Sequence, residues 1–192
     1  MAFSAPEWIN YQKRTSQGKP RSLLIESLSY IAKKENALDL GAGALTEAQF
    51  LLDSGFQEVI AIDITPQFKE LVLPANARFI YLQEKVEEYT FPQNYFDLIS
   101  AQLTLPFMQS DKFKEVWAKI RTALKTKAIF TGQLFGERDD WSADSEMTFH
   151  SKKEVYDLLQ TFEIIKCVEK EYTEKDARKK HWHYFELIIR KL

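Results

Sequence analysis

The sequence predicts an α/β fold, built on a doubly wound sheet of seven mostly parallel strands with helices on both faces. Three observations predict it. Apolar runs of strand length alternate with amphipathic helical segments over most of the chain. A turn with two glycines joins the first apolar run to a helix, as in Rossmann-like sheets. Two strand-like segments follow one another at the C-terminus, which predicts an antiparallel edge hairpin.

Length and composition favour one cytoplasmic domain over residues 1–192. The chain has 192 residues and 45% hydrophobic residues, enough for a substantial core. Its net charge of −2 gives no reason to expect nucleic acid or an acidic membrane as partner. The single cysteine, Cys167, cannot form an internal disulfide, which fits a reducing compartment. The sequence shows no signal-peptide pattern and no apolar run long enough to span a bilayer.

The elements are predicted from apolar periodicity and flanking turn residues. The predicted helices are residues 6–18 (a short helix or arm), 21–34, 46–55, 67–75, 110–124 and 151–162. The predicted strands are residues 37–40, 58–63, 77–83, 95–102, 127–136, 163–173 and 181–192. Crossovers between parallel strands should be right-handed.

The turn "GAGAL" lies between a predicted strand end and a predicted helix start. Thr46 can serve as the N-cap residue, with Gln49 three residues later completing a capping box. Gly41 and Gly43 remove side chains where a ligand approaches the backbone closely. In open α/β sheets, ligands bind beyond the carboxyl ends of the strands.

Two acids end the strands on either side of this turn. Asp63 follows Gly43 by 20 residues and is placed to accept hydrogen bonds from a ribose. A dinucleotide site would have a third glycine where this chain has Thr46. Asp39, two residues before the first glycine, would repel a pyrophosphate and suits a cationic amine or sulfonium. The segment therefore predicts a nucleoside site for a cationic ligand.

The motifs "LDLGAG", "IAID" and "FDLIS" resemble those of the class I S-adenosylmethionine-dependent methyltransferases. The resemblance implies S-adenosyl-L-methionine as cofactor, with Asp39 near its amino group and Asp63 on its ribose. It implies that the N-terminal arm and first helix, residues 1–34, cover the cofactor, and that Arg21 meets its carboxylate. Lys85 stands where many members carry an acid near the adenine, so a backbone contact from Val86 is expected instead. The predicted cofactor contacts are Asp39, Gly41, Ala42, Gly43, Asp63, Ile64, Val86 and Arg21.

The C-terminal half resembles a narrower subgroup, the small bacterial methyltransferases near the tellurite-resistance and thiopurine types. The motifs that carry the resemblance are "LPFM" (105–108), "GQLFGERDDW" (132–141), "MTFH" (147–150) and "KKHWHYFEL" (179–187). With no flipped-base motif after the fourth strand, a small molecule is the expected methyl acceptor rather than DNA or RNA. A monomer or weak homodimer is expected.

His181 and His183 are the predicted catalytic residues. They are two residues apart on a strand, so they point to the same side. Either imidazole could take a proton from a hydroxyl or amine acceptor. A structural role and a metal site are the alternatives, and no metal is predicted because further ligands are not visible in the sequence.

The acceptor pocket is predicted to be aromatic, because aromatic side chains exclude water and can face a sulfonium. "GERDDW" is either a lid of this pocket or a surface loop in which Arg138 pairs with Asp139, Asp140 or Glu137. The predicted pocket residues are Phe107, Phe135, Arg138, Trp141 and Trp182.

Three functions remain open from the sequence. The first is an S-adenosylmethionine-dependent methyltransferase that acts on a small molecule by in-line transfer. The second is a non-catalytic cofactor-binding or regulatory domain of the same fold. The third is a nicotinamide-linked oxidoreductase.

Overall fold

The computed structural model describes residues 5–175 and 179–192. Its helices are α1 (Ala5–Thr15), α2 (Ser22–Ser27), α3 (Thr46–Asp53), α4 (Ser110–Ala123) and α5 (Lys152–Leu159), with short 3₁₀ turns at Leu28–Tyr30 and Leu105–Phe107. Its strands are β1 (Asn36–Leu40), β2 (Glu58–Asp63), β3 (Arg78–Gln83), β4 (Phe96–Ala101), β5 (Leu124–Gly136), β6 (Phe149–His150), β7 (Phe162–Thr173) and β8 (His181–Lys191).

One sheet joins all of these strands in the order β3-β2-β1-β4-β5-β8-β7, with the two-residue β6 added beside β5. Strands β1 to β5 pair in parallel, so their carboxyl ends meet at one edge. Strand β8 runs antiparallel to both β5 and β7, which confirms the predicted edge hairpin. The strand order reverses between β1 and β4, and ligands bind at such a switch point in open sheets.

Helices cover both faces of the sheet, as predicted. Leu24 of α2 and Leu51 of α3 pack on one face with Ile129 of β5 and Ile188 of β8. The other face is covered by α4 and α5 and holds the larger apolar cluster. Side chains alternate between faces along each strand, so neighbouring residues at the C-terminal hairpin belong to different sides.

Two predicted helices differ from the structure. Residues 67–75 form no helix, and Val72 is 78% exposed. Pro66 and Pro74 restrict this segment, and Gln49 of α3 holds it through the backbone of Val72. The predicted helix 21–34 is shorter, with α2 ending at Ser27 before a 3₁₀ turn. No helix in the described ranges has the length and apolarity that a membrane crossing requires.

Candidate functional site

The glycine turn after β1 has a fixed backbone. Gly41 and Ala42 donate their N–H groups to the carbonyl oxygen of Ile62 in β2, at 2.8 and 3.0 Å. Gly41 and Gly43 adopt φ of 70° and 48°, in the left-handed region that glycine enters at low cost. The turn is therefore held against the end of β2.

The side chains around Gly41 and Gly43 leave different amounts of room for a Cβ atom. A Cβ on Gly41 would overlap the side chain of Thr104, which comes from the β4 end. A Cβ on Gly43 would meet nothing closer than 3.9 Å. A Cβ on Gly43 would therefore make only ordinary van der Waals contact with Gln12, while Gly41 is needed to accommodate Thr104. The prediction gave both glycines the same reason, close approach of a ligand.

Asp39 is 2% exposed, and its Oδ2 has no hydrogen-bond partner among the described residues. Burial raises its pKa well above the usual value, and Glu47 and Asp63 raise it further by like-charge repulsion, against a hydrogen bond from Ser100. An unpaired buried carboxylate oxygen is costly. A cation placed here would remove that cost.

Asp63 joins the turn to the end of β2. Its Oδ2 accepts the N–H of Gly43 at 2.8 Å. Its Oδ1 accepts the N–H of Thr65 at 2.9 Å and the Thr65 hydroxyl at 2.6 Å. A ribose hydroxyl at this carboxylate would take the remaining lone pair of Oδ2 or replace the Thr65 hydroxyl.

Helix α3 begins differently from the prediction. Its N-cap residue is Leu45, with φ of 61°, and no side chain caps the first turn. The Thr46 hydroxyl is buried without a partner in the described chain, and Gln49 bonds Val72 and Asp53 instead of the helix start. The predicted capping box is therefore wrong, because the turn enters the helix one residue earlier through a left-handed residue.

Helix α1 contacts the residues around the turn; the resemblance implied that residues 1–34 cover the cofactor, but the individual contacts were not predicted. Gln12 is 4% exposed and donates from its amide to the Thr65 hydroxyl. Trp8, one turn earlier, meets Phe107 edge to face at 5.0 Å between ring centroids. The apolar and polar spacing of α1 predicts a helix but gives no signal of which sheet edge it contacts.

The end of β4 connects the glycine turn to a cavity. Thr104 donates its hydroxyl to the carbonyl oxygen of Leu40 at 2.7 Å, while its neighbour Leu103 lines the cavity. Leu103 has φ of 55°, a strained conformation for a leucine, and its N–H is held at 2.9 Å by the Gln133 side chain. Adjacent residues thus contact the glycine turn and the cavity.

The cavity has a volume of about 280 Å³ and is open to solvent on one side. It lies between the start of α2 and the face of β5, β7 and β8 that α2 covers. Its lining consists of Arg21, Ser22, Leu23, Leu103, Gln133, Tyr172, Trp182, Tyr184 and Glu186. Arg21 and Trp182 are the two predicted site residues among them.

Three other predicted pocket residues form an aromatic cluster next to Trp182. Phe107, Phe135 and Trp141 lie 5.6 to 6.3 Å from one another between ring centroids. Trp182 contacts this cluster through Trp141 at 5.2 Å and Phe135 at 5.9 Å. The cluster therefore braces one wall of the cavity, and Trp8 extends it under α1.

A buried ion pair ties "GERDDW" to "KKHWH". The Asp139 carboxylate accepts the ammonium of Lys180 and the backbone N–H groups of Trp141 and His183. The Lys180 ammonium lies 4.0 Å from the Trp141 ring centroid and 4.5 Å from that of Trp182. This arrangement fixes the two indoles relative to each other.

His181 and His183 share one side of β8, as predicted, but it is the side away from the cavity. His183 is fully buried; its Nδ1 accepts the N–H of Arg138 at 3.1 Å, and its Nε2 lies 3.1 Å from Glu169. The same Nε2 also lies 3.1 Å from Nη2 of Arg138, so the ring is held between the arginine and the acid. A Cβ on Gly136 would overlap the His183 ring, so the buried position of this ring requires glycine at residue 136. Neither position brings an imidazole to the cavity.

Arg138 lies on the same side as these histidines. Its guanidinium contacts Glu169 and Glu171 of β7, each at 2.8 Å, and lowers the pKa of both acids to about 2. The predicted pairing of Arg138 with Asp139, Asp140 or Glu137 is therefore wrong. Within the described ranges, no group of three metal-ligating side chains has the geometry to hold an ion.

The remaining predicted cofactor residues flank the turn. Ile64, directly after Asp63, is 44% exposed at the carboxyl edge of the sheet. Val86 lies after β3 with its side chain buried in the α4 face, so only its backbone is available to a ligand. Ala42 is buried in the turn itself.

A family model described as a methyltransferase domain matches residues 38–131, just under half of the chain. The match covers the glycine turn, both acids and the end of β4. It supports a methyltransferase domain in this range and, with it, S-adenosylmethionine as cofactor. No match was found among curated proteins.

Solved structures share the fold at low sequence identity. TehB from Haemophilus influenzae superposes with a TM-score of 0.76 at 13% identity, over 95% of this chain and 66% of that one. The 1,6-didemethyltoxoflavin-N1-methyltransferase of Burkholderia thailandensis, solved with 1,6-didemethyltoxoflavin and S-adenosylhomocysteine, gives 0.67 at 18% identity, over 95% and 82%. The N-methyltransferase NodS of Bradyrhizobium japonicum, solved with S-adenosylhomocysteine, gives 0.66 at 12% identity, over 96% and 98%.

These likenesses confirm the predicted Rossmann-like methyltransferase fold. The narrower resemblance to tellurite-resistance and thiopurine types stays a prediction.

Proposed function

We propose that this protein is an S-adenosylmethionine-dependent methyltransferase that acts on a small molecule. The observation that carries the proposal is the buried, unpaired Oδ2 of Asp39 near the carboxyl end of β1, next to the glycine turn. A buried carboxylate with a raised pKa and one unpaired oxygen is a poor structural element but a good partner for a ligand's ammonium group.

The residues around the turn fit the predicted cofactor. Asp39 would hold the amino group, Gly43 would give room for the backbone to approach the ligand, and Asp63 would accept a ribose hydroxyl. Ile64 offers an exposed apolar side chain for the adenine, next to the backbone of Val86. When bound, the cofactor would supply a methyl group carried on a sulfonium. After the methyl group is transferred, the rest of the cofactor is a neutral thioether.

The cavity beyond Leu103 is the proposed acceptor site. Thr104 contacts the glycine turn and Leu103 lines the cavity, so the two sites are neighbours in the chain and in space. The protein's task is to hold the acceptor atom about 3 Å from the methyl, in line, and to exclude water. Trp182 and the aromatic cluster of Phe107, Phe135 and Trp141 suit the exclusion of water. This chemistry needs no nucleophile from the protein.

Calorimetry and methyl-transfer assays test the proposal. We expect micromolar binding of S-adenosylmethionine and S-adenosylhomocysteine and no binding of NAD. Radiolabelled S-adenosylmethionine should then label an acceptor from a panel of small thiols, amines, hydroxyl compounds and metalloid oxyanions. Binding with no transfer to any acceptor would favour the non-catalytic alternative. Binding of NAD alone would favour the oxidoreductase.

A further inference from the structure

The guanidinium of Arg21 has no acidic partner at the cavity. Its Nη2 lies 3.3 Å from the Tyr11 hydroxyl, and no carboxylate of residues 6–175 or 179–192 is within ion-pair distance of it. The nearby Glu47 accepts the backbone N–H of Arg21 at 3.3 Å rather than the side chain. Most hydrogen-bond donors of this arginine are thus available to a ligand.

The one acid that lines the cavity is already neutralised. Glu186 accepts the ammonium of Lys170 at 3.0 Å, and Lys166 lies 3.9 Å from its other oxygen. Burial raises the pKa of Tyr184, Tyr172 and Glu186 raise it further, and Arg21 opposes the rise, so both the acid and the guanidinium act electrostatically on this wall of the cavity. Lys170 thus offsets the charge of Glu186, and Arg21 is the lining cation whose guanidinium has no ion-pair partner among the described residues.

Aromatic rings form the wall beside that charge. Tyr172 and Tyr184, neighbours on β7 and β8, lie 6.3 Å apart between ring centroids at 84°. Trp182 lies directly opposite Tyr172 in the β7–β8 pairing. Its indole N–H donates to Glu174 at 3.0 Å. Ring faces and edges of this kind bind flat, unsaturated ligands better than saturated ones of equal size. The volume of about 280 Å³ is at the small end for ligand sites, which run from about 300 to 1,000 Å³.

We infer that the cavity binds a small planar aromatic acid, whose anionic group is held by Arg21 and whose ring lies against Tyr172, Trp182 and Tyr184. The inference names the chemical class of the methyl acceptor. It rests on the proposed function, because methyl transfer to this ligand requires the proposed methyltransferase activity. The carboxylate of the cofactor's amino acid is a second source of the same anion, because the backbone of Arg21 contacts Glu47 in the first turn of α3, next to the glycine turn. The two sources predict different results below.

The test uses probes that differ in one property each. Salicylate is planar and anionic, salicylamide is planar and neutral, and cyclohexanecarboxylate is anionic and not planar. Each is titrated by calorimetry into the full-length protein with and without saturating S-adenosylhomocysteine. The variants are Arg21→Met and the control Lys19→Met, which changes an exposed cation two residues away. Circular dichroism checks that both variants are folded.

We expect salicylate to bind about tenfold tighter than either other probe, the ratio that one charge-assisted hydrogen bond supports. Arg21→Met should remove the advantage over salicylamide, and Lys19→Met should keep it. Equal binding of salicylate and salicylamide, or no binding of salicylate, would overturn the inference. So would an Arg21→Met variant that loses S-adenosylhomocysteine and keeps salicylate, since the anion would then be the cofactor's. Failure of the wild type to bind S-adenosylhomocysteine would count against the proposed function. The three probes would still show whether the cavity prefers a planar anion.

Discussion

Gly43 donates its backbone N–H to the Asp63 carboxylate at 2.8 Å, and this bond closes the glycine turn against the end of β2. The same carboxylate is the proposed partner of the ribose. If that proposal holds, ligand binding and turn geometry both depend on this one side chain.

Replacing Asp63 with Asn tests this relationship. We expect S-adenosylhomocysteine to bind about 1–3 kcal/mol more weakly, the cost of leaving hydrogen-bonding groups unpaired. Asp53→Asn is the matched control, because Asp53 is an exposed acid on α3 whose side chain bonds only Gln49 among its described neighbours. Calorimetry measures both variants. Equal affinity of Asp63→Asn and wild type would remove Asp63 from the site.

The two glycines of the turn should respond differently to alanine. Gly41→Ala places a methyl group into Thr104 at a positive φ, so we expect a loss of stability of more than about 1 kcal/mol. Gly43→Ala has the strain of a positive φ, but its methyl group makes only van der Waals contact with Gln12, so the further effect should be weaker cofactor binding. Urea denaturation and calorimetry separate the two effects. A Gly43→Ala variant with normal affinity would mean that the ligand does not approach this backbone.

Asp39 should make the ligand-free protein less stable as the pH rises. Its pKa is raised in the folded state, so the folded chain holds the proton more tightly than the unfolded chain does. Its contribution to stability is fully present below the usual Asp pKa of about 3.9 and declines as the pH rises to the folded-state pKa.

Asp39→Asn removes this dependence. We expect the free energy of unfolding of the variant, relative to wild type, to increase with pH over that window and then level off. Affinity for S-adenosylhomocysteine should fall in the same variant, because the ammonium loses its partner. Denaturation at several pH values and calorimetry are the measurements. A stability difference that does not change with pH would contradict the buried position of this carboxylate.

Removing one partner of the Asp139–Lys180 pair should be costly. Lys180→Met leaves a fully buried carboxylate without its cation, which costs about 3–5 kcal/mol in comparable pairs. The double variant Asp139→Asn, Lys180→Met should recover part of this loss. Lys179→Met, at the exposed neighbour, should change stability by less than about 0.5 kcal/mol. Chemical denaturation of the three variants gives the comparison, and equal stabilities of Lys180→Met and Lys179→Met would show that the ion pair does not hold these motifs together.

The histidines should contribute little to the chemical step. A general base is worth about 10²–10⁴ in rate, but His181 and His183 lie on the side of β8 away from the cavity. We expect His181→Ala to lower kcat less than about twofold, with His181 partly exposed beside Glu171. His183→Ala should reduce stability, since His183 links Arg138 and Glu169. A hundredfold loss of kcat in folded His181→Ala would instead restore the predicted role as a base.

The sequence predicted the parts of the site that depend on local order. Strand, turn, helix and strand follow one another within residues 37–63, so Asp39 and Asp63 were placed at neighbouring strand ends from the chain alone. The sequence could not predict which face of the C-terminal hairpin lines the cavity. A period of two tells that His181 and His183 share a side, but which side carries the cavity depends on where α2 packs.

Contacts between distant segments were also not predictable. Gln12 reaches Thr65 across 53 residues, and Arg138 reaches Glu171 across 33. Nothing in the local sequence of α1 or "GERDDW" distinguishes these partners from nearer ones. The helix predicted over residues 67–75 failed because Val72 and Leu73 stay exposed and only Leu71 is among the residues packed against the core, and isolated helices of that length are marginal in water.

The central claim is that Asp39 and Asp63 flank a site for an adenosyl sulfonium. A crystal structure of the protein grown with S-adenosylhomocysteine tests it most directly. We expect the ligand's amino group within hydrogen-bond distance of Asp39 Oδ2 and its ribose against Asp63, with the backbone of Gly43 alongside. A structure with S-adenosylhomocysteine bound elsewhere, or with Asp39 still unpaired at saturating ligand, would contradict the claim.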